Sequence, residues 1–352
     1  MIRAAINGFG RIGRTALRAW LDRADLHDQL DIVVINTSGS MDIEGWGHIL
    51  KYDTAYRTMP HELHVEHVHG RKEVTDEDPL LGYFHIDNRH IPVLAQKDPE
   101  KLDWKKFGID VVIECTGVFR DEKGAGKHIT AGAKRVLISA PSKGGPIGTF
   151  VLGVNAYDGA CPIADNASCT TNCIAPVTKV IHEVFGIKKA ALTTIHAFTD
   201  DQNLQDGSHK EDLRRARSAA LNMVPTSTGA AKAVTSVMTD LKGKFGGIAI
   251  RVPVVTGSIS DLTYVVNKAT TKEEVNQAIK DAADTTHWRG LIGWTEEPLV
   301  SSDIIGKKES VIVDLSLTQV VDGDLVKIFA WYDNEWGYSN RLIEQTIAVG
   351  NA

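Results

Sequence analysis

The stretch "IRAAINGFGRIGRTALRAWL" begins with strand-like alternation and ends with helical periodicity, and the change falls on a cluster of glycines. Gly8, Gly10 and Gly13 form G-x-G-x-x-G, and a second apolar strand pattern, "DIVVIN", follows about one helix length later. A strand, tight turn, helix and second strand in this order are confined to a βαβ unit with a parallel pair. Glycine lets the backbone turn sharply and approach a pyrophosphate, so that the amides and dipole of the helix N-terminus face the phosphates. The spacing alone would also suit a turn that merely packs strand on helix. The flanking strand, helix and second strand favour dinucleotide binding.

"DVVIECTG" and "RVLISAP" repeat the buried-strand pattern on either side of a short helix in "DEKGAGKHITAGAK". About the first 140 residues therefore read as an open, mostly parallel sheet with helices on its faces. Residues 61–95 alternate apolar and polar side chains, as in "ELHVEHVHG" and "YFHIDNRHIPVL", which predicts exposed antiparallel strands inserted into that framework. Beyond Cys169 the texture changes. "TTNCIAPVTKVIHEVFG" and "STGAAKAVTSVMTDLKG" read as helices, while "AALTTIHAF", "GIAIRVPVV", "DLTYVVN", "SVIVDLSLTQV" and "LVKIFAWYD" read as strands. "NEWGYSNRLIEQTIAV" predicts a terminal helix. The fold class is an α/β Rossmann-type cofactor domain with a mostly parallel sheet, plus an α+β catalytic domain with an antiparallel or mixed sheet. The expected domains are 1–168 with 334–352, and 169–333.

No basic segment leads into an apolar run at the N-terminus, and no apolar run reaches membrane-spanning length. Four cysteines without a recurrent spacing argue for reduced thiols, so a cytoplasmic location is expected. A net charge of -6 disfavours a dedicated nucleic-acid binder, and any anionic ligand needs a local cluster of positive charge.

An NAD site usually ends its second strand with a carboxylate for the ribose hydroxyls. Here that strand ends in Asn36-Thr37-Ser38-Gly39-Ser40, and the next acid is Asp42. Nothing there repels a 2′-phosphate, which favours NADP. The alternative is that Asp42 swings in, or that NAD binds without this contact.

"NASCTTNC" raises three possibilities for Cys169 and Cys173. A metal clip lacks a convincing second ligand pair, with only Cys161 nearby, and no metal is expected. A disulfide between residues four apart on one helix would strain the backbone. A nucleophile remains: Cys169 stands where a helix begins, its apolar positions Ile174, Val177, Val180, Ile181 and Val184 on one face and Gly186 closing it. The helix N-terminus favours thiolate, whereas Cys173 faces deeper and behaves as a small hydrophobe. His196 ends the strand "AALTTIH" 27 residues after Cys169, so a helix can run out and a strand return to bring imidazole to thiol. A strand-end histidine satisfied by backbone is the plain alternative.

Ser168, Thr170, Thr199, Thr228 and Gly229 supply hydroxyl and amide donors for anions, and Arg251 supplies charge. The run Lys210, Arg214, Arg215, Arg217 reads as solvated surface or subunit contact and is left out of the site.

Over nearly its whole length the sequence resembles phosphorylating (type I) glyceraldehyde-3-phosphate dehydrogenase. The shared strings are "INGFGRIGR", "KYD", "ECTG", "ISAP", "NASCTTNC", "IHAFT", "LRRAR", "PTSTGAAKA", "RVP" and "YDNEWGYSN". The resemblance implies Cys169 as nucleophile and His196 as activating base. It implies Thr199 and Arg251 at the substrate's phosphate, and Ser168, Thr170, Thr228 and Gly229 at the attacking inorganic phosphate. Gly8, Gly10, Arg11, Ile12, Gly13, Thr37, Lys97, Thr116, Gly117, Ser139, Asn334 and Tyr338 match positions that contact NAD or NADP, Asn334 orienting the nicotinamide amide.

The implied reaction oxidises the aldehyde on the cysteine to a thioester, which inorganic phosphate then cleaves to an acyl phosphate, giving bisphosphoglycerate. The family also implies a homotetramer in which the loop from about Asp200 to Val224 lines a neighbour's cofactor pocket. Two departures bear on the cofactor. NAD-linked members read Asn-Asp where this chain has Asn36-Thr37, and many place proline where it has Ser208, as photosynthetic NADP-accepting members do not. Erythrose-4-phosphate dehydrogenase is the nearest rival, disfavoured by Thr199 and the run Thr228 to Lys232. A redox-sensing, non-catalytic homologue is the alternative from another class. Of His61, His64, His67 and His69, alternation on an exposed strand is the preferred reading over a metal cluster.

Overall fold

"IRAAIN" forms β1 (Ile2–Asn7), and α1 (Arg11–Leu21) starts directly after the glycine turn. β2 (Leu30–Asn36) pairs with β1 in parallel, bringing Asn7 opposite Asn36. The turn depends on absent side chains. A Cβ on Gly13 would lie 2.1 Å from the Gly8 carbonyl oxygen, and one on Gly8, at φ +96°, would lie 2.6 Å from the Thr116 amide nitrogen. Gly10 differs, because nothing lies within 4 Å of its Cβ position.

The structure is a computed structural model describing all residues, Met1–Ala352. It has two compact units, one of Met1–Phe150, Tyr157–Ala167 and Ser339–Ala352, the other of Val151–Ala156 and Ser168–Tyr338. Relative to the expected division, residues 151–156, Ser168 and 334–338 group with the second unit.

In the first unit α2 (Ile43–Lys51) and the two short strands β3 (Tyr52–Asp53) and β4 (Arg57–Thr58) follow β2. Next come β5 (Leu63–His67), β6 (Leu80–Ile86) and β7 (Arg89–Leu94). Then follow α3 (Trp104–Phe107), β8 (Val111–Glu114), α4 (Glu122–Thr130), β9 (Arg135–Ile138), β10 (Gly148–Thr149) and β11 (Ile163–Asp165). The sheet order is β10-β11-β9-β8-β1-β2-β7-β6-β5. The alternating segment does form antiparallel strands, but they extend one edge of the sheet, attached through the parallel pair β2 and β7, and are not inserted within it.

β1 is buried on both faces, which is why it reads as apolar without alternation. Phe9 packs against Trp46 and Phe84 with ring centroids 6.1 and 6.0 Å apart. At the carboxyl ends of the central strands a buried polar chain replaces apolar packing. Asn36 Nδ2 donates to Asn7 Oδ1 at 2.7 Å, and Asn7 Nδ2 donates to Glu114 Oε2 at 2.6 Å. His128 Nδ1 accepts from Trp104 Nε1 at 3.0 Å, so its Nε2 carries hydrogen and donates to Glu114 at 3.0 Å. Each buried polar group thus has a partner, and the strand ends are locked in register.

The second unit contains α5 (Cys169–Phe185), β12 (Ile187–Ala197), β13 (Val224–Ser227) and α6 (Ala230–Val237). β14 (Phe245–Val252), β15 (Ser258–Val266), α7 (Lys272–Asp284), β16 (Ile292–Thr295), β17 (Val311–Val321) and β18 (Leu325–Tyr332) follow. α8 (Trp336–Asn351) begins here, and its residues from Ser339 on belong to the first unit, where Leu342, Ile343 and Ile347 enter the core. The order β13-β14-β12-β15-β18-β17-β16 is mixed: β12 with β14 and β16 with β17 run parallel, the rest antiparallel.

Two helix expectations change. α6 stops at Val237 and gives way to a 3-10 turn at Thr239–Leu241, so the predicted long helix is two pieces. α5 is not a one-faced amphipathic helix: from Thr170 to Thr178 every residue is buried, whereas Val184 in the last turn is exposed. Its polar residues are tolerated inside because they bond, as Thr178 does to the Tyr264 hydroxyl at 2.9 Å. α7, held by a Thr271/Glu274 capping box, was not anticipated from periodicity.

Replacing Gly13 by alanine forces a methyl group onto backbone, so we expect a loss of about 1–3 kcal/mol, read as a lower urea midpoint. Gly10→Ala, which opens onto empty space, should leave the midpoint within roughly 0.5 kcal/mol of wild type. Equal effects would contradict the packing role assigned to Gly13.

Candidate active site

Ser168 caps α5 in extended conformation, its Oγ accepting from the Thr171 amide at 3.1 Å and lying 2.7 Å from the Thr171 hydroxyl. Cys169 is the first helical residue, and its Sγ lies 3.3 Å from His196 Nε2. Cys173, one turn on, is fully buried, with Sγ 3.8 Å from the Ala330 carbonyl oxygen, and burial pushes its thiol well up. It is a packing residue.

His196 is 3% exposed near the end of β12. Its Nδ1 lies 2.6 Å from the Ala197 carbonyl oxygen, which can only accept, and 2.9 Å from Arg251 Nη1, which can only donate; the shorter contact assigns the hydrogen to Nδ1, so the Nε2 lone pair faces the thiol. The parallel pairing of β12 with β14 sets His196 opposite Arg251. Arg251 Nη1 lies 2.9 Å from His196 Nδ1 and donates to Ala197 O and Thr199 Oγ1, both at 3.1 Å. Burial, and then this positive charge, push the imidazolium down to about 3, so the ring is neutral.

Burial likewise pushes the Cys169 thiol up, against the pull of Arg251, the Thr170 hydroxyl and first-turn amides. The helix N-terminus thus pulls toward thiolate, as expected from sequence, while burial opposes it. The residue keeps part of its surface open to solvent, which limits the upward push. What the geometry provides is a thiol hydrogen-bonded to a neutral base.

The thiol and the base are held by a residue the sequence did not single out. The Tyr332 hydroxyl bonds Thr170 Oγ1 at 3.0 Å and Thr194 Oγ1 at 2.8 Å, joining the first turn of α5 to β12. Its ring also meets His196 edge-on, centroids 5.9 Å apart. Thr170 is accordingly buried and engaged inward.

Thr199 donates to Asp201, and Asp201 pairs with Arg215 at 2.5 Å. Burial would raise the Asp201 carboxyl, but the Thr199 hydroxyl, Arg215 and Arg251 outweigh it and hold it below the usual range. Arg215, set aside as surface, is thus coupled to the Arg251 cluster, because β13 pairs Val224 with Arg251 and returns the preceding loop to this place. The acidic pair directly after "IHAFT" was the available signal. Arg251 Nε is buried without a partner, a donor that an anionic oxygen would satisfy. Thr228 and Gly229 begin α6 just past Ser227, which pairs with Ile248, so along β14 they lie beyond the Arg251 row. Thr228 Oγ1 accepts from the Ala230 amide at 3.2 Å, and Gly229 is exposed.

In the first unit the cofactor candidates collect at the carboxyl ends of β1, β2, β7, β8 and β9, around the β1/β8 switch point where such folds hold nucleotides. Gly10 caps α1 with no side-chain hydrogen bond, so the first-turn amides of Arg11, Ile12 and Gly13 face the open space at Gly10. A helix start of this kind is suited to a pyrophosphate. Arg11 is paired with Asp53 and stacked 5.3 Å from the Tyr56 ring. The Thr116 amide donates to Glu114 at 2.7 Å, Gly117 sits at φ +71° with open space, and the Ser139 amide donates to the Glu114 carbonyl at 2.9 Å. Lys97 is exposed just beyond the clamp formed by Asn36 and Gln96.

Thr37 does not present its hydroxyl at the strand end, since it is buried and donates to the Leu94 carbonyl at 3.0 Å. Asp42 does not swing in either; its Oδ1 accepts from the Arg71 amide at 2.6 Å. In the second unit Asn334 Oδ1 takes hydrogen bonds from Ser258 Oγ at 2.8 Å and the Gly257 amide at 3.2 Å, which fixes the orientation of its amide. Tyr338 is buried in the first turn of α8.

A Rossmann-type unit together with a unit that pairs a thiol with a neutral imidazole fits the class of nicotinamide-nucleotide-dependent oxidoreductases. Residues 2–122 match the family model for the NAD binding domain of glyceraldehyde 3-phosphate dehydrogenase, and 168–334 match the model for its C-terminal domain. The chain is similar to the chloroplastic glyceraldehyde-3-phosphate dehydrogenase A of Chlamydomonas reinhardtii, 49% identical over 345 residues, 97% of this chain and 87% of the relative. It is also 49% identical to the glyceraldehyde-3-phosphate dehydrogenase of Streptomyces coelicolor over 353 residues, 99% of each chain. Glyceraldehyde-3-phosphate dehydrogenase 2 of Trichormus variabilis is 48% identical over 347 residues, 98% of this chain and 97% of the relative. The chain belongs to the glyceraldehyde-3-phosphate dehydrogenase family and is an NAD(P)-dependent oxidoreductase acting on a phosphorylated aldehyde. No helix is long and apolar enough to cross a membrane.

Because burial depresses the folded-state pKa of His196 from its ordinary value of about 6.5 to about 3, the unfolded chain binds more protons between those pH values. Stability is therefore present above about pH 6.5 and lost as pH falls. At pH 5 this residue should account for about 2 kcal/mol, and His196→Asn should flatten that part of the acid dependence of the urea midpoint. An unchanged acid dependence would show that His196 is not a buried neutral base.

Proposed function

We propose that Cys169 and His196 carry the oxidative phosphorylation of glyceraldehyde-3-phosphate to bisphosphoglycerate. The 3.3 Å approach of Sγ to an Nε2 lone pair is the observation that carries the assignment. Sulfur attacks the aldehyde carbon while Nε2 takes the thiol proton and passes it to the new alkoxide, giving a hemithioacetal. The bound nicotinamide supplies the hydride acceptor. As the hydride leaves, His196 takes the hydroxyl proton and a thioester remains on Cys169. An oxygen of inorganic phosphate then attacks the thioester carbon, the C–S bond breaks, and the imidazolium returns its proton to sulfur.

Thr199 and Arg251, whose Nε lacks a partner, support a site for the substrate's own phosphate. Ser168, Thr170, Thr228 and Gly229 are assigned to the attacking phosphate, with the helix starts at Ser168 and Gly229 supporting that role. Thr199 and the intact Thr228 to Lys232 run favour the triose over erythrose-4-phosphate. The first-turn amides of α1 and Arg11, Ile12, Lys97, Thr116, Gly117 and Ser139 are assigned to the dinucleotide, Asn334 to the nicotinamide amide, and Tyr338 to packing near it. With Thr37 and Asp42 both engaged elsewhere, the exposed Ser38 and Ser40 and the cation Lys97 support acceptance of a 2′-phosphate, and dual use of NADP and NAD. Four free cysteines support a reducing, cytoplasmic setting.

Reduction of the nicotinamide, followed by absorbance with aldehyde plus phosphate or arsenate, tests the reading. Cys169→Ser should abolish turnover, and His196→Asn should lower kcat by roughly 10²–10⁴. NADP should support kcat/KM at least equal to NAD. Unimpaired turnover by Cys169→Ser sinks the mechanism; a strong preference for NAD sinks the cofactor assignment alone.

A homotetramer is supported by Leu204, Leu213, Leu221 and Met223, which stand 76, 83, 84 and 75% exposed within one loop. Sedimentation should find four chains together, and a fully active monomer would refute this.

A further inference from the structure

Of the four histidines grouped by sequence, three go separate ways. His61 pairs with Asp22 and Asp87, His67 with Glu44, and His69 with Asp78. His64 does something else, and the cause is strand register. β5 pairs with β6 so that His64 lies directly opposite His85, and β6 pairs with β7 so that His85 lies directly opposite His90. Three imidazoles from three strands thus form one row on the outer face of the sheet edge, while Phe84, Ile86, Ile91 and Val93 take the inner face.

The row is closely packed. The His85 and His90 ring centroids lie 4.4 Å apart and those of His64 and His85 5.8 Å apart. Tyr83 meets the His90 ring edge-on at 4.2 Å and fixes its place. One diagonal step away, Glu66 accepts from His85 Nε2 at 2.8 Å. One ligand atom from each of Glu66, His85 and His90 falls within 4.8 Å of the other two. Around a zinc ion with bonds of about 2.0–2.1 Å, ligand atoms stand roughly 3.3 Å apart. Rotations of these exposed or half-buried side chains can close that difference without moving the strands.

We propose that Glu66, His85 and His90 form a binding site for a borderline divalent cation, zinc in particular, on the face of the nucleotide-binding unit formed by β5, β6 and β7. Two imidazoles and a carboxylate are the donor set such ions take, and they disfavour magnesium and calcium, which require all-oxygen shells. Water or His64 completes the coordination. The bound ion ties three antiparallel strands together at the sheet edge, where β5 has no further strand beyond it.

The test is equilibrium dialysis of the full-length chain against zinc chloride at pH 7.5, carried out in a Cys169→Ser background so that the active-site thiol cannot compete for the metal. One zinc per chain is expected. His85→Gln and His90→Gln should each weaken binding at least tenfold, the range seen on losing one ligand or its support, with an unchanged far-ultraviolet circular dichroism spectrum. Glu66→Gln, which keeps the size of the side chain, should weaken binding in the same direction. No stoichiometric zinc, or binding unaffected by all three substitutions, overturns the proposal.

Discussion

The Tyr332 hydroxyl is the point on which the reactive geometry rests. A thiol at the start of α5 and an imidazole at the end of β12 belong to different elements, and each element alone would leave them free to drift. One phenolic oxygen bonded to Thr170 on the helix and Thr194 on the strand removes that freedom. The bond is buried, so its loss would remove the shortest contacts of two threonine hydroxyls as well as loosening the pair. Rigid positioning of this kind holds a thiol and an imidazole in hydrogen-bonding register.

The electrostatics are arranged around the same pair. Burial, and then Arg251 beside the imidazole, keep it neutral, which is the state a proton acceptor needs. The same guanidinium holds Thr199, and through Asp201 it is linked to Arg215. An anion reaching the unpartnered Arg251 Nε would partly neutralise the charge that depresses His196. Anion binding at this guanidinium and the basicity of the imidazole would therefore be physically coupled.

Much of the fold was legible because its determinants are local. The glycine turn follows from steric limits acting within a few residues, and the 2.1 Å approach at Gly13 shows how little room they leave. Strands β1, β2, β8, β9, β12, β14, β15, β17 and β18 were readable from burial patterning, whereas β3, β4, β10, β11, β13 and β16 were not. The errors have a common origin in burial that chain-local patterns do not record. α5 carries threonine, asparagine and proline through a fully buried stretch because neighbouring elements supply hydrogen-bond partners, and its last apolar residue, Val184, ends up exposed. The edge placement of β5, β6 and β7 and the division of α6 were likewise decided by packing partners distant in sequence.

What the amino-acid sequence by itself determined was the kind of chemistry: a nucleotide turn, a cysteine at a helix start, and a histidine one helix and strand later. Those depend on residue type and short-range geometry. What only the tertiary structure decided was which side chains meet. Arg215 joins Arg251, Thr37 turns inward, Tyr332 bridges the reactive pair, and His64, His85 and His90 align. Strand register and burial set those meetings, and because side chains alternate between faces, a slip of one residue would send each strand's set to the other side.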